Sequence, residues 1–422
     1  MTDPRRDARA GDTGAMFVRV AWRNLWRRRL RTWMSASGMG FAIFLVSVSM
    51  SFQAGSYDAW IETATSLMAG HLQAQHPAYF DNPEVRYALT EGIALTRRFE
   101  NEPGIVAVSP RTEAFALVSA GERSFGALIV GVDRERDMAL SSLPDHLSAG
   151  EYLPGADSAF LGTALAANLG VDIGDEIVVL GATGEGGVAA LMARVDGLFD
   201  TGRPELDRSV LQVGIASMQA GFDLGDAVHR LVIETRDARH ASDLKAILQA
   251  AAPMDVRLLD WNELLPELEQ AIQIDRASAS MMYWLLLIVV AMSVINAFIM
   301  TVFERTREFG MLLAIGMRPN AIVGMLGIEA VCVWAIGVVI GIVLCVAVVL
   351  PLSAIGIDVS GIEGMEQLAA QLMMPDRLYP SLNVNVLTES PLWMLAGTLL
   401  GALIPALRVR RMQPVEALRE EE

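Results

Sequence analysis

Four largely apolar stretches, at residues 33–54, 280–303, 321–352 and 391–407, constrain this chain more than any other feature. A helix rising 1.5 Å per residue needs about 20 apolar residues to cross roughly 30 Å of hydrocarbon. The first three stretches reach that length. The fourth is short, and is helped by Ala406, Leu407 and Val409 among arginines whose apolar stems let the charge reach the interface. With 53% hydrophobic and 19% charged residues over 422 positions, a soluble multidomain chain is excluded. The expected fold class is an α-helical membrane protein with four transmembrane helices and a large α+β extracytoplasmic (periplasmic) domain inserted between the first and second.

Arginine placement orients the spans, because short cytoplasmic loops retain Lys and Arg. Arg19, Arg23, Arg27, Arg28, Arg29 and Arg31 precede the first span, Arg305, Arg307 and Arg318 separate the second from the third, and Arg408, Arg410, Arg411 and Arg419 follow the fourth. These segments are assigned to the cytoplasm. The layout that results is a cytoplasmic tail and amphipathic interfacial helix at 1–32, a span at 33–54, a periplasmic α+β domain at 55–279 and a span at 280–303. A cytoplasmic coupling segment at 304–320, a span at 321–352, a periplasmic loop at 353–390, a span at 391–407 and a cytoplasmic tail at 408–422 complete it. Both termini are expected on the cytoplasmic side.

The formal charge of −16 is concentrated outside: residues 55–279 hold 34 acidic and 16 basic side chains. That sign excludes nucleic acid as a partner. It suits a solvated, solubilising surface or one that meets cations or a basic partner. Cys332 and Cys345 share the third span, about 20 Å apart along a helix, so they form no disulfide and the exported domain depends on its core alone. That domain shows short β-type runs at 105–108, 116–119, 127–130, 176–180 and 230–234, with helices at 162–169, 238–251 and 261–280. The first apolar run is too long for a cleaved signal and leaves no polar region before a cleavage site.

Catalytic signals are missing. An ATPase needs a glycine-rich phosphate loop ending in Lys, and Lys245 is the one lysine, preceded by Leu244. The run Gly181, Gly184, Gly186, Gly187 sits between strand-like segments and reads as a hairpin. His71 and His76 lack metal-site spacing and company, so no metal or catalytic residue is assigned. Carboxylates such as Glu267 and Glu269 carry no specific signal, and Gly-x-Ser-x-Gly is absent. Inside the spans Glu329 stands nearly alone as an ionisable residue, too few for a proton-driven transporter.

Two segments carry information. Residues 16–30 set Trp22 and Trp26 beside Arg19, Arg23 and Arg27 at steps of four, an amphipathic helix for the cytoplasmic membrane surface and its lipids. The second follows span two: Glu304, Arg305, Glu308, Phe309, Gly310, Leu313, Ala314, Ile315 and Gly316, with Phe309, Leu312, Leu313 and Ile315 expected to form one apolar face and Pro319 restarting the chain. It reads as a short helix along the inner surface. Gly337-x3-Gly341 and Gly397-x3-Gly401 allow close helix approach, either within one chain or between two.

The Glu304, Arg305, Glu308, Gly310 pattern followed by Ala314-Ile315-Gly316 resembles the FtsX-like permease family, the membrane subunits of ABC systems that include MacB-type exporters and lipoprotein-releasing Lol permeases. Pro414-x-Glu416-Ala417-Leu418, the segment from Ala21 to Arg29, Gly70-His71-Leu72-Gln73 and the segment from Gly170 to Asp175 are similar to the family as well. The resemblance implies a dimer of permeases, two copies or a paralogue, driven by a separate cytoplasmic ATPase that binds the ATP and Mg; this chain would hold no cofactor. It implies that the Glu304–Gly316 set receives the ATPase motion and passes it to the periplasmic domain. Gly70-His71-Leu72-Gln73 and the unbroken exported domain resemble the Lol branch, implying lipoproteins and a periplasmic carrier as partners, although no carrier-binding hook is evident. MacB-like efflux, FtsX-like control of a wall hydrolase and an envelope-sensing receptor are the alternatives, and no substrate-binding residue is named.

Overall fold

Each apolar stretch lies within one long helix in the computed structural model, which describes Arg23, residues 26–358 and residues 377–410. Helix α1 covers Arg29–Thr65, α2 Pro266–Glu304, α3 Thr306–Ala314, α4 Pro319–Ile355 and α5 Val384–Arg410. All but α3 are long and apolar enough to cross a membrane. Backbone N–H and C=O groups in hydrocarbon have no water to bind, so an apolar run satisfies them internally as helix. Cap chemistry sets the ends: Pro319 opens α4, where its missing N–H costs nothing, and Gly356 closes it at φ +73°. The shortness of the fourth stretch is resolved by α5, which starts at Val384, carries Pro391 inside it and reaches 27 residues. At the other end, Trp26–Arg28 forms a 3₁₀ turn leading into α1.

The described residues fall into two compact units, one holding the long apolar helices and one formed by Asp58–Ala271. In the membrane unit glycine permits the closest approaches. A Cβ on Gly341 would lie 2.7 Å from the Gly40 carbonyl and from Ile43 of α1, and one on Gly337 would lie 2.8 Å from Met39. Helices α2 and α5 meet the same way, since a Cβ on Gly401 would lie 2.8 Å from the Ala291 carbonyl and one on Gly397 3.1 Å from Leu287. Both Gly-x3-Gly pairs therefore serve packing within the chain. Ile43, Val46, Val294, Leu326 and Met394 fill the interior, and the Ser47 and Ser390 hydroxyls meet at 2.5 Å where no water would satisfy them. Cys332 and Cys345 are free thiols.

The second unit is a mixed sheet in the order β10-β1-β9-β2-β3-β8-β5-β7-β4, with β6 pairing β2 and β7. Its strands are β1 Leu72–Gln75, β2 Ile105–Ala120, β3 Arg123–Val132, β4 Leu147–Gly150, β5 Ser158–Gly162, β6 Glu176–Ala182, β7 Val188–Phe199, β8 Val210–Gly214, β9 Arg230–Thr235 and β10 Arg257–Asp260. Alternation explains the burial: Ala114, Ala116 and Val118 of β2 face the core while Phe115 and Leu117 face out. The runs expected at 105–108 and 116–119 are one strand, because Ser109 to Phe115, less apolar to the eye, pair β9 and β3 without a break. The helix expected over 261–280 is interrupted: a capping box between Asp260 and Glu263 opens Trp261–Leu264, Leu265 leaves the helical conformation ahead of a proline, and α2 starts at Pro266. Thr183 and Gly187 close the β6–β7 turn with Gly186 at φ +85°, so the glycine run is the hairpin expected of it.

Candidate functional site

Helix α3 lies between α2 and α4, and one arginine sets its position. Arg305 caps it, turns out of the end of α2 and reaches two acids: Nε donates to Glu308 Oε2 at 2.9 Å and Nη1 to Glu329 Oε1 at 3.0 Å. Glu329 is 5% exposed on α4, so a charge that is costly at membrane depth is paired by a residue 24 positions earlier. The Arg305 guanidinium also lies 5.0 Å over the ring of Phe309, itself fully buried. Arg27 Nη1 comes within 3.8 Å of Glu308 from the other side, an exposed contact worth at most about 1 kcal/mol. The spacing in the motif now has a cause, since three residues of helix put Glu308 back beside Arg305.

The apolar face departs from the sequence reading at one position. Phe309, Leu312 and Leu313 pack on the membrane interior as expected, but Ile315 is 85% exposed. The helix stops there: Gly316 adopts φ +96°, its N–H donates to the Leu313 carbonyl and Met317 N–H to the Leu312 carbonyl, which turns Ile315 outward. Met311 is exposed too, one turn before Ile315, and Ala314 and Glu308 complete the outer side; Gly310 is buried and Glu304 ends α2. Arg23 and Arg27 are exposed and Trp26 packs edge-on to Trp33 at 6.3 Å. Arg19, Trp22, and the Pro414, Glu416, Ala417 and Leu418 motif lie outside the described residues.

A second feature lies among the spans. An open cavity of about 280 Å³ is lined by Ser35, Gly38, Met39, Phe41, Ala42 and Leu45 of α1, by residues of α2 from Leu286 to Phe298, and by Ala330, Val333 and Thr398. Its lining carries hydroxyls but no charge. Toward the far ends of α1 and α2, Asp275 Oδ2 accepts hydrogen bonds from Tyr57 at 2.7 Å and Gln53 at 3.0 Å, and Tyr283 donates to Gln53 at 3.2 Å.

Residues 32–251 match the MacB-like periplasmic core domain and residues 280–414 match the FtsX-like permease C-terminal family. The chain belongs to the FtsX-like, MacB-type permease family. It is thus a multi-pass membrane permease of the ABC-transporter kind with a large extracytoplasmic domain. It is similar to the lipoprotein-releasing system transmembrane protein LolC of Neisseria meningitidis serogroup B, 23% identical over 417 residues and covering 97% of this chain and 98% of that one. LolC of Xylella fastidiosa is 25% identical over 334 residues, 76% of this chain and 79% of its own. The macrolide export ATP-binding/permease protein MacB of Bordetella avium is 24% identical over 435 residues, 97% of this chain and 61% of its own.

Within this permease the motifs shared with the family have local physical roles. Gly170 closes the helix Thr163–Leu169 in the left-handed region, and Asp175 accepts the Asp172 N–H in the next turn. Gly70, at φ +64°, reverses the chain between α1 and β1, and Gln73 Nε2 donates to the Ala69 carbonyl to brace that turn. The Asp275 bridge and the cavity escaped the sequence reading. The available signal for the cavity was Gly38 with Ala42 and Ser293 with Ala297, small residues at four-residue steps on two spans.

Proposed function

We propose that this permease releases lipoproteins from the inner membrane, with both termini cytoplasmic and its Asp58–Ala271 unit in the periplasm. The observation that carries the reading is the uncharged cavity among α1, α2 and α4. Its volume falls just below the roughly 300–1,000 Å³ usual for small-molecule sites, and its apolar lining suits an acyl chain better than a polar drug. The LolC relatives, one of them aligned along nearly the whole chain, support the same cargo.

The energy comes from a separate ATPase holding ATP and Mg, and a second permease completes the dimer. Glu308, Met311, Ala314 and Ile315 form the surface of α3 that meets this ATPase, while Arg305, Phe309, Gly310 and Leu313 anchor α3 so that its displacement moves the spans. Gly316 ends the helix where Ile315 must project. Arg23, Trp26 and Arg27 rest on the lipid surface. A periplasmic carrier would receive the released lipoprotein.

Depletion in the source bacterium tests the cargo: lipoproteins should accumulate in the inner membrane. Unchanged lipoprotein sorting overturns this reading. The MacB relative, aligned over 97% of the chain, favours efflux as the second reading, and macrolide hypersensitivity with normal sorting would decide for it.

A further inference from the structure

The turn at Gly70 delivers His71 into a site built by two other elements. His71 is 2% exposed. Its Nδ1 lies 3.2 Å from Glu234 Oε1 of β9, and its Nε2 lies 3.5 Å from Glu62 Oε2 near the end of α1. Thr235 also crowds Nδ1, with its hydroxyl at 3.0 Å, its carbonyl at 3.2 Å and its backbone nitrogen at 3.3 Å. Gly70 makes this approach possible, for a Cβ there would fall 2.5 Å from Val232 of β9.

A neutral imidazole has one N–H and can serve one of these carboxylates; only the imidazolium donates from both nitrogens. Without its charge, Glu234, whose side chain is 18% exposed, would lose the cation beside it, whereas Glu62, 64% exposed, keeps its water. Donor atoms of Glu62, His71 and Glu234 also lie within 4.8 Å of one another, which would admit a metal ion. One ion, however, can take one ring nitrogen, and here the two nitrogens address different acids. We infer that His71 is a doubly protonated clamp that fastens the outer end of α1 to β9 and loosens as the pH rises.

Charge and burial agree with that geometry. Burial works against the His71 charge, yet the contact to Glu62 and the charges of Glu234 and Glu62 outweigh it and hold its pKa above the ordinary histidine value of 6.5. Burial pushes Glu234 up to about 7, with the His71 charge opposing and Glu62 adding to the rise. On β10, the other neighbour of β1, Asp260 is engaged by Ser242 at 2.7 Å and by Lys245. Both raised values carry the same sign. The part due to Glu234 is complete below 4.5 and lost as the pH climbs to about 7, and the part due to His71 is complete below 6.5 and lost above that.

Hydrogen exchange of the full chain in lipid nanodiscs, corrected for intrinsic rate and followed from acid to alkaline pH, tests the clamp on peptides covering residues 58–75. In the wild type, protection should fall at least about tenfold through neutrality, the equivalent of one pKa unit. His71→Gln should show low protection without that pH dependence, and Glu234→Gln should move the transition to lower pH by removing one negative neighbour. A wild-type profile without the transition overturns the proposal, as does a Glu234→Gln profile that coincides with it. Saturable Zn²⁺ binding to the wild type that disappears in His71→Gln overturns it too, because it would make His71 a neutral ligand.

Discussion

Arg305 shows how one side chain ties a family motif to a buried acid. Glu308 is half-exposed and can rely on water, but Glu329 cannot, so the two acids respond differently to loss of the arginine. Arg305→Ala should lower stability by about 3–5 kcal/mol, since it strands a buried carboxylate. Glu329→Gln leaves Arg305 with Glu308 and should lower it by no more than about 1–3 kcal/mol. The double variant should regain most of the loss, because no buried charge is left without a partner. Thermal unfolding of the purified chain in one detergent reads all three, and equal losses in both single variants would refute the assignment. Half of this was legible: Glu329 stood out as a lone acid in a span, and Arg305 as part of a pattern. Their pairing was not, because it depends on how α2 turns into α4 rather than on spacing.

At the scale of elements, glycines of the same helix separate into two kinds. A Cβ on Gly341 would meet the backbone of α1 at 2.7 Å, whereas one on Gly324, also in α4, would meet nothing within 4 Å. Gly341→Val should therefore force α1 away and destabilise by about 1–3 kcal/mol or more. Gly324→Ala should be neutral or stabilising, up to about 1 kcal/mol from helix propensity. The comparison is made on unfolding midpoints and on the yield of folded protein; a Gly341→Val chain as stable as wild type would show that α1 and α4 do not meet there. The sequence announced the helices plainly through length and apolar content. It could not say whether the Gly-x3-Gly pairs face a neighbour in the chain or a second copy, since periodicity gives a face and not its partner. In the Asp58–Ala271 unit, strand existence was legible from β-type runs, but the length of β2 was not, because its middle is set by pairing on both sides.

For the whole molecule, the proposed function divides the labour between two chains. On that proposal, a permease with one lysine and no phosphate loop of the Gly-Lys-Ser/Thr kind takes up energy at the surface of α3. Sequence reading located α3 but assigned Ile315 to the membrane side. The structure turns it outward, because a left-handed Gly316 ends the helix one residue too soon for that face to continue. Met311 and Ile315 are then an exposed apolar pair on α3, on the same side as the half-exposed Glu308, a composition that suits the centre of a transient interface. Ile315→Asp should leave insertion and unfolding midpoint unchanged, since the side chain touches little of its own chain. Its effect should appear as a loss of at least about tenfold in affinity for the partner ATPase, corresponding to about 1.4 kcal/mol. Leu313→Asp, by contrast, should unfold α3 and lower stability as well as binding. Co-purification and equilibrium binding with the partner, set beside melting curves, separate the two outcomes. If Ile315→Asp binds the ATPase as wild type does, the outer side of α3 is not where the motion enters.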